Sequence, residues 1–190
     1  MNAFRTIAIT SPHPVEGEAA AICRLLEEGC WRIHLRKPGY SLHAMRQLVE
    51  AIPAECRPRL VVHDHFGLCG QFGLGGIHLN RRHPTPPPHF TGTVSRSCHT
   101  LEEVRQYKTL HAYVFLSPVF DSLSKQGYRA AFGRQELEEA AEKGIIDSRV
   151  IALGGITPDK FEYLRRLRFG GAAMLGSLWN RPRASAFPPG

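Results

Sequence analysis

Short apolar runs alternate with amphipathic stretches along most of this chain. The clearest case is Val150-Ile-Ala-Leu-Gly-Gly-Ile-Thr-Pro-Asp159. The run from Val150 to Leu153 ends in a glycine pair, Gly154 and Gly155. Thr157-Pro158-Asp159 then opens an amphipathic segment. This predicts a buried strand, a tight turn and a helix, with Thr157 as N-cap and Pro158 at the first helical position. A second strand rich in glycine at its ends, Gly170 to Leu178, follows one β/α unit later. Glycines at a strand's C-terminal end let backbone N–H groups approach a ligand closely.

Upstream the same alternation repeats. Phe4 to Thr10 reads as strand one. Residues 15–29 carry apolar side chains at 19, 22, 23, 25 and 26, which is helical spacing, and Gly29 sits where a helix would stop. Arg32 to Arg36 is strand two, and Tyr40 to Ile52 a helix stopped before Pro53. Arg59 to Asp64 is strand three, followed by a short helix over Phe66 to Phe72. Gly76 to Asn80 is strand four. Pro84-Thr-Pro-Pro-Pro88 cannot be helical, so the fourth helix is lost or shrunken. Thr93 to Ser97 is strand five. The helix after it covers Thr100 to Tyr107, and Thr100 with Glu103 has capping-box spacing. Ala112 to Pro118 is strand six, a polar loop covers 121–132, and Arg134 to Lys143 is a helix. Strand seven is the stretch described first, with its helix over Pro158 to Arg168, and Ala172 to Leu175 is strand eight.

Eight strands alternating with mostly helical connections predict an α/β fold, a single compact (β/α)₈ TIM barrel over residues 1–180. An open doubly wound sheet competes less well, because it has fewer strands and strand one is not followed by G-x-G-x-x-G. Residues 181–190 form a proline-rich, irregular tail, so the last barrel helix is truncated. Either a partner subunit, as in a homodimer, covers the strand-one and strand-eight surface left bare, or the barrel's closure is weakened.

Composition narrows the function. The 190 residues carry a formal net charge of +7, yet the basic residues are scattered. They form no run of five, and aromatics do not interleave with them. This argues against nucleic acid and for a small anionic ligand. The five cysteines, Cys23, Cys30, Cys56, Cys69 and Cys98, are irregularly spaced with no CxxC, which implies neither a zinc site nor a disulfide framework. Reduced thiols, no signal-peptide pattern and no apolar run of about 20 residues point to a cytoplasmic protein without a membrane anchor.

In a (β/α)₈ barrel the chemistry sits at the C-terminal strand ends. Polar residues fall there strand by strand: Thr10 and Ser11, Arg36 and Lys37, then His63, Asp64 and His65, then Asn80. They continue with Ser97 and His99, then Ser117, Ser122, Ser124 and Lys125. Arg, Lys, His and Asp gathered around two glycine-bearing strand ends suit a phosphorylated substrate.

The chain resembles the thiamine phosphate synthase/TenI family of β/α barrels. The resemblance rests on Ile33-His-Leu-Arg36, Val62-His-Asp64, Gly76-Ile-His-Leu79, Ser97-Cys-His-Thr-Leu-Glu-Glu103, Ser117-Pro-Val-Phe120 with Ser124-Lys125, Ala152 to Ile156, and Gly171 to Ser177. It implies thiamine biosynthesis and one of two reactions. The synthase joins a pyrimidine pyrophosphate to a thiazole phosphate with Mg²⁺ on the pyrophosphate. The TenI-type tautomerase aromatises a thiazole phosphate carboxylate without metal.

Departures from the synthase pattern favour the tautomerase as the first expectation. The family's Asn-Asp pair after strand three reads His63-Asp64. The second metal carboxylate is replaced by His83, beside Arg81 and Arg82, and the glutamine before the strand-two arginine is His34. The loop threonines read Ser122 and Ser124. Arg96-Ser-Cys-His-Thr-Leu-Glu-Glu103 is similar to the TenI run whose histidine is the acid/base, which implies that role for His99. By the same resemblance Lys125 acts with it on the substrate carboxylate or phosphate. Arg36, His63, Asp64, Ser97, Ser122 and Ser124 bind substrate, and Gly154, Gly155, Leu175 and Gly176 hold its phosphate. The alternatives are a synthase with an altered Mg²⁺ site on Asp64, needing Mg²⁺ where the tautomerase needs no cofactor, and a non-catalytic thiazole-phosphate binder.

Overall fold

A computed structural model describes residues 3–121 and 131–175. Eight parallel strands close into a barrel in sequence order. They are β1 (Arg5–Ile9), β2 (Arg32–Leu35), β3 (Leu60–Val62), β4 (Gly76–Leu79), β5 (Thr93–Cys98), β6 (Tyr113–Leu116), β7 (Val150–Leu153) and β8 (Gly171–Leu175). The helices are α1 (Glu18–Glu27), α2 (Leu42–Ala51), α3 (Gly67–Phe72), α4 (Leu101–Tyr107), α5 (Arg134–Glu142) and α6 (Phe161–Arg166). Contacts group the described residues into two compact units, 7–94 with 175, and 3–6 with 95–174. Each is taken by itself below.

Most strand residues are buried, because a parallel sheet is covered on both faces, with His34, His78 and the polar, half-buried β5 as exceptions to their apolar character. The helices supply the cover. Ile22, Leu25 and Leu26 are buried on α1, at i, i+3 and i+4 spacing. Each contributes roughly 2 kcal/mol of apolar burial. Met45 and Val49 do the same on α2, and Leu137, Ala140 and Ala141 on α5.

Three local expectations are refined. A 3₁₀ turn, Ala54–Arg59, precedes β3 where an extended chain was expected from Arg59. No helix lies between β4 and β5, where the prolines leave turns and bends. Thr157 and Pro158 occupy the expected N-cap and first position, but they open a 3₁₀ turn, Pro158–Lys160, before α6 begins. The Thr157 side chain caps no backbone amide there. It bonds the Asp159 carboxyl instead and lowers its pKa. The expectations of a truncated last helix and an irregular tail concern residues outside the described ones.

The α4 cap is formed as read: Thr100 Oγ1 accepts from the Glu103 N–H at 3.1 Å. The Glu103 carboxylate reaches back one residue further than a capping box requires and accepts from the His99 N–H. Replacing Thr100 by alanine is expected to cost about 1 kcal/mol, read as a lower urea midpoint with unchanged slope.

Candidate active site

In the unit of residues 7–94, β1 to β4 stand side by side with parallel register. His34 pairs with Ile9 and with Val61, and Val62 pairs with Ile77. Thr10 ties the first two strand ends together. Its Oγ1 accepts from the Arg36 N–H at 2.8 Å and donates to the Arg36 carbonyl at 3.2 Å. Arg36 is thereby fixed at the β2 exit. Lys37 beside it is not available to a ligand. It is 1% exposed, and its Nζ lies 2.6 Å from Glu18 Oε2 and donates to the His13 carbonyl at 2.8 Å. Burial raises the Glu18 pKa, and the Lys37 bond opposes that rise. The pair is a buried ion pair inside the α1 entrance.

At the β3 exit, Asp64 is clasped. Arg82 Nη2 donates to both carboxylate oxygens at 3.1 Å, and His83 Nε2 donates to Oδ1 at 3.0 Å. The clasp is built by Asn80. Its Oδ1 accepts from the Arg82 and His83 backbone N–H groups at 2.9 and 3.2 Å, and its Nδ2 donates to the His63 carbonyl at 3.2 Å. His65 has φ 54° and points away, donating Nε2–H to the Tyr40 carbonyl at 2.9 Å.

His63 is 5% exposed and meets two further imidazoles. His34 Nδ1 lies 2.9 Å from His63 Nε2, and His63 stacks on His78 with ring centroids 4.3 Å apart. Burial holds His63 well below the usual histidine range, reinforced by His78, His34, Arg36 and Arg82. His34 is lowered well below that range too, first by burial and then by His78 and Arg32. Both rings are neutral near pH 7. Arg36 and Arg82 both act on His63, so two guanidiniums stand near the β3 exit.

In the unit of residues 95–174, β5 leads from Ser97 through buried Cys98 to exposed His99. His99 is oriented from two sides: Glu103 accepts from its backbone N–H, and its Nδ1 lies 3.0 Å from the Ser117 carbonyl. A carbonyl only accepts, so Nδ1 carries the proton. Nε2 is then the lone-pair nitrogen of the neutral ring, the form a general base needs. Next to Ser117, the β6 exit pairs onward with β7: Val119 N–H donates to Leu153 O at 2.9 Å and Phe120 N–H to Gly154 O at 3.2 Å.

That pairing gives the glycine pair a duty that its sequence pattern did not reveal. Gly154 and Gly155 have φ of 100° and 59°. A Cβ on Gly154 would sit 2.8 Å from Pro118 Cα, and one on Gly155 would sit 2.1 Å from Asp121 O. The glycines first admit the β6 exit loop. Any amide offered to a phosphate comes after that. Beside them, a hollow of about 520 Å³ is lined by Phe120, Asp121, Arg134, Lys160 and Tyr163 among others, with Lys160 4.5 Å above the Phe120 ring. Leu175, at the end of β8, is half-buried. Ser122, Ser124, Lys125 and Gly176 lie outside the described residues.

The closed parallel (β/α)₈ barrel defines the fold, and comparison with known proteins defines the family. The family model described as thiamine monophosphate synthase matches residues 6–178, and the chain belongs to that family. It is similar to a thiamine-phosphate synthase of Actinobacillus succinogenes, with 25% identity over 180 residues, 87% of this chain and 81% of that one. Among solved structures, a thiamine phosphate pyrophosphorylase from Bacteroides thetaiotaomicron superposes with a TM-score of 0.84 and 41% identity, covering 95% of this chain and 87% of that one. A Pyrococcus furiosus thiamine phosphate pyrophosphorylase shares the fold, with TM-score 0.71, 20% identity and 92% and 86% of the two chains covered. No helix among the described residues is long and apolar enough to cross a membrane.

The family implies Mg²⁺, a hard ion that takes oxygen ligands. The resemblance expects Asp64 as one such ligand, but Arg82 and His83 already engage its oxygens. Where it expects a second carboxylate, this chain has His83. This donor set does not fit Mg²⁺.

Proposed function

We propose that the chain is a transferase of the thiamine-phosphate-synthase type, joining a pyrimidine pyrophosphate to a thiazole phosphate. The observation that carries this reading is the 41% identity, over 95% of the chain, to the Bacteroides thiamine phosphate pyrophosphorylase. The ranking expected from the sequence, with the tautomerase first, is thereby reversed. The matched relatives cited above are named as synthases or pyrophosphorylases.

In this coupling a C–N bond forms as the C–O bond to pyrophosphate breaks, so negative charge grows on the leaving group. Cations must meet it. Arg36 and Arg82, near the β3 exit, are the side chains proposed for that task. Lys125, Ser122 and Ser124 are proposed to reach substrate oxygens, with Ser97 and His63 at the floor of their strand ends. Backbone amides of Gly154, Gly155, Leu175 and Gly176 are proposed to hold the thiazole phosphate. The enzyme is proposed to be cytoplasmic.

A second reading, the TenI-type tautomerase, is favoured by one pair of observations: the clasped Asp64 and the His99 ring with Nε2 as its base nitrogen. One experiment separates the readings. The purified protein is given both substrates of the coupling, and separately the non-aromatic thiazole phosphate carboxylate, each with and without Mg²⁺. Coupled product is the expected result. Aromatisation without coupling replaces the transferase by the tautomerase. Tight thiazole-phosphate binding with neither product leaves a non-catalytic binder. His99→Ala sharpens the test. It is expected to remove roughly 10²–10⁴ of a tautomerase rate, where His99 carries the proton, and far less of a coupling rate.

A further inference from the structure

Each of three neighbouring strand regions contributes one histidine to the same place. His34 lies on β2, His63 follows β3 and His78 lies on β4. The register explains the convergence. His34 pairs with Val61, so His63 is its diagonal neighbour two residues on, and His63 is level with His78 when the Val62–Ile77 pairing is continued. Neighbouring strands are about 4.8 Å apart, and diagonal neighbours lie within reach of long side chains.

The result is a compact triangle of rings, with centroid separations of 5.1, 5.1 and 4.3 Å. One nitrogen from each ring can be chosen so that all lie within 4.8 Å of one another. All three residues are buried, at 0, 5 and 0% exposure. The sequence makes the cluster conspicuous: two of its members stand at positions where the synthase pattern has glutamine and asparagine.

We propose that His34, His63 and His78 form a binding site for a borderline transition-metal ion of the Zn²⁺ class, distinct from any Mg²⁺ site. The ligand chemistry selects the metal. Neutral imidazole suits Zn²⁺, Co²⁺, Ni²⁺ and Cu²⁺, whereas Mg²⁺ demands oxygen. The dimensions suit it as well. Zn–N bonds of about 2.0–2.1 Å in a tetrahedron put ligand nitrogens about 3.3 Å apart. That value lies between the 2.9 Å of the His34–His63 pair and the 4.8 Å limit of the group. On binding, the stacked His63 and His78 rings must turn so that their in-plane lone pairs converge with that of His34 at this spacing.

The His34–His63 hydrogen bond is given up on binding. The ring that donates in it moves its proton to its own other nitrogen and offers the freed lone pair. Three protein nitrogens leave one tetrahedral position for water or a substrate atom.

The test uses the full-length protein after chelator treatment and reads metal binding, not turnover. It is titrated with Co²⁺, followed by visible absorption, and then with Zn²⁺. The expected result is one equivalent of Co²⁺ with the intense ligand-field bands of tetrahedral nitrogen coordination, displaced by Zn²⁺. His34→Gln and His78→Gln are each expected to weaken binding by roughly 10²-fold or more. His43→Ala, outside the triangle, is expected to leave it unchanged. His34→Gln restores the residue of the synthase pattern, and its thermal melt verifies folding. A folded wild-type protein without tetrahedral Co²⁺ bands overturns the proposal. So does binding that persists in folded His34→Gln or His78→Gln.

Discussion

Acidifying the metal-free protein from about pH 7.5 to about 5.5 is expected to destabilise it by roughly 2 kcal/mol through two buried imidazoles. His34 and His63 both titrate well below the ordinary value of 6.5 in the fold, chiefly because burial penalises their charged forms. In the unfolded chain each takes up a proton near 6.5. Below that pH the unfolded state binds more protons than the folded state, so stability falls as pH falls. Above it neither state is protonated and the stability is fully present. A loss of roughly 2 kcal/mol is about 4–8 °C in Tm for a chain of this size. The measurement is a series of thermal melts in chelator across this range. His34→Gln removes one of the two protons and is expected to halve the drop. A Tm that stays level down to about 5.5 would mean that both rings are charged in the fold, and half the drop that one of them is.

Gly155→Ala is expected to be among the costliest single substitutions in the barrel. Its φ of 59° is unfavourable for alanine by about 1–2 kcal/mol, and its Cβ would stand 2.1 Å from the Asp121 carbonyl oxygen and 2.9 Å from Phe120 Cβ. The obstacle is backbone, so it cannot rotate aside. The β6 exit must lift from β7, losing the Phe120 N–H to Gly154 O bond. A total of about 3–5 kcal/mol follows. Gly144 supplies the control: its φ is 66° and nothing lies within 4 Å of its Cβ position. Gly144→Ala is expected to cost only the backbone part. Chemical denaturation of both variants measures the difference, and equal losses would show that the close approach of the loop has no energetic weight.

These two cases show which properties were legible in the linear order. The strands and most helices could be read, because a buried parallel strand needs a short unbroken apolar run and a covering helix needs an apolar stripe at i, i+3 and i+4. Val150-Ile-Ala-Leu153 and Ile22 with Leu25 and Leu26 satisfy those needs locally. Thr100 and Glu103 likewise announced a helix start, because capping involves residues three apart.

Other features join residues distant in sequence, so no local pattern carries them. Lys37 looked like a substrate cation until α1 brought Glu18 to its Nζ. Asp64 looked like a free ligand until the Asn80 turn aimed Arg82 at both of its oxygens. Gly155 was read for its backbone amide alone, and only the structure shows that the β6 exit packs against it. The signal for the imidazole triangle was present at positions 34, 63 and 78, yet it could be read only once strand register was known.

By itself the sequence determined the alternation of eight strands with their cover, the family, and the side chains set at the strand ends, because burial periodicity and short motifs are local properties. The tertiary structure alone decided which of those side chains stay open to a ligand and which are bound to one another. Hydrogen bonds and ion pairs depend on separations of about 3 Å, and those separations are set by strand register and loop packing across the chain.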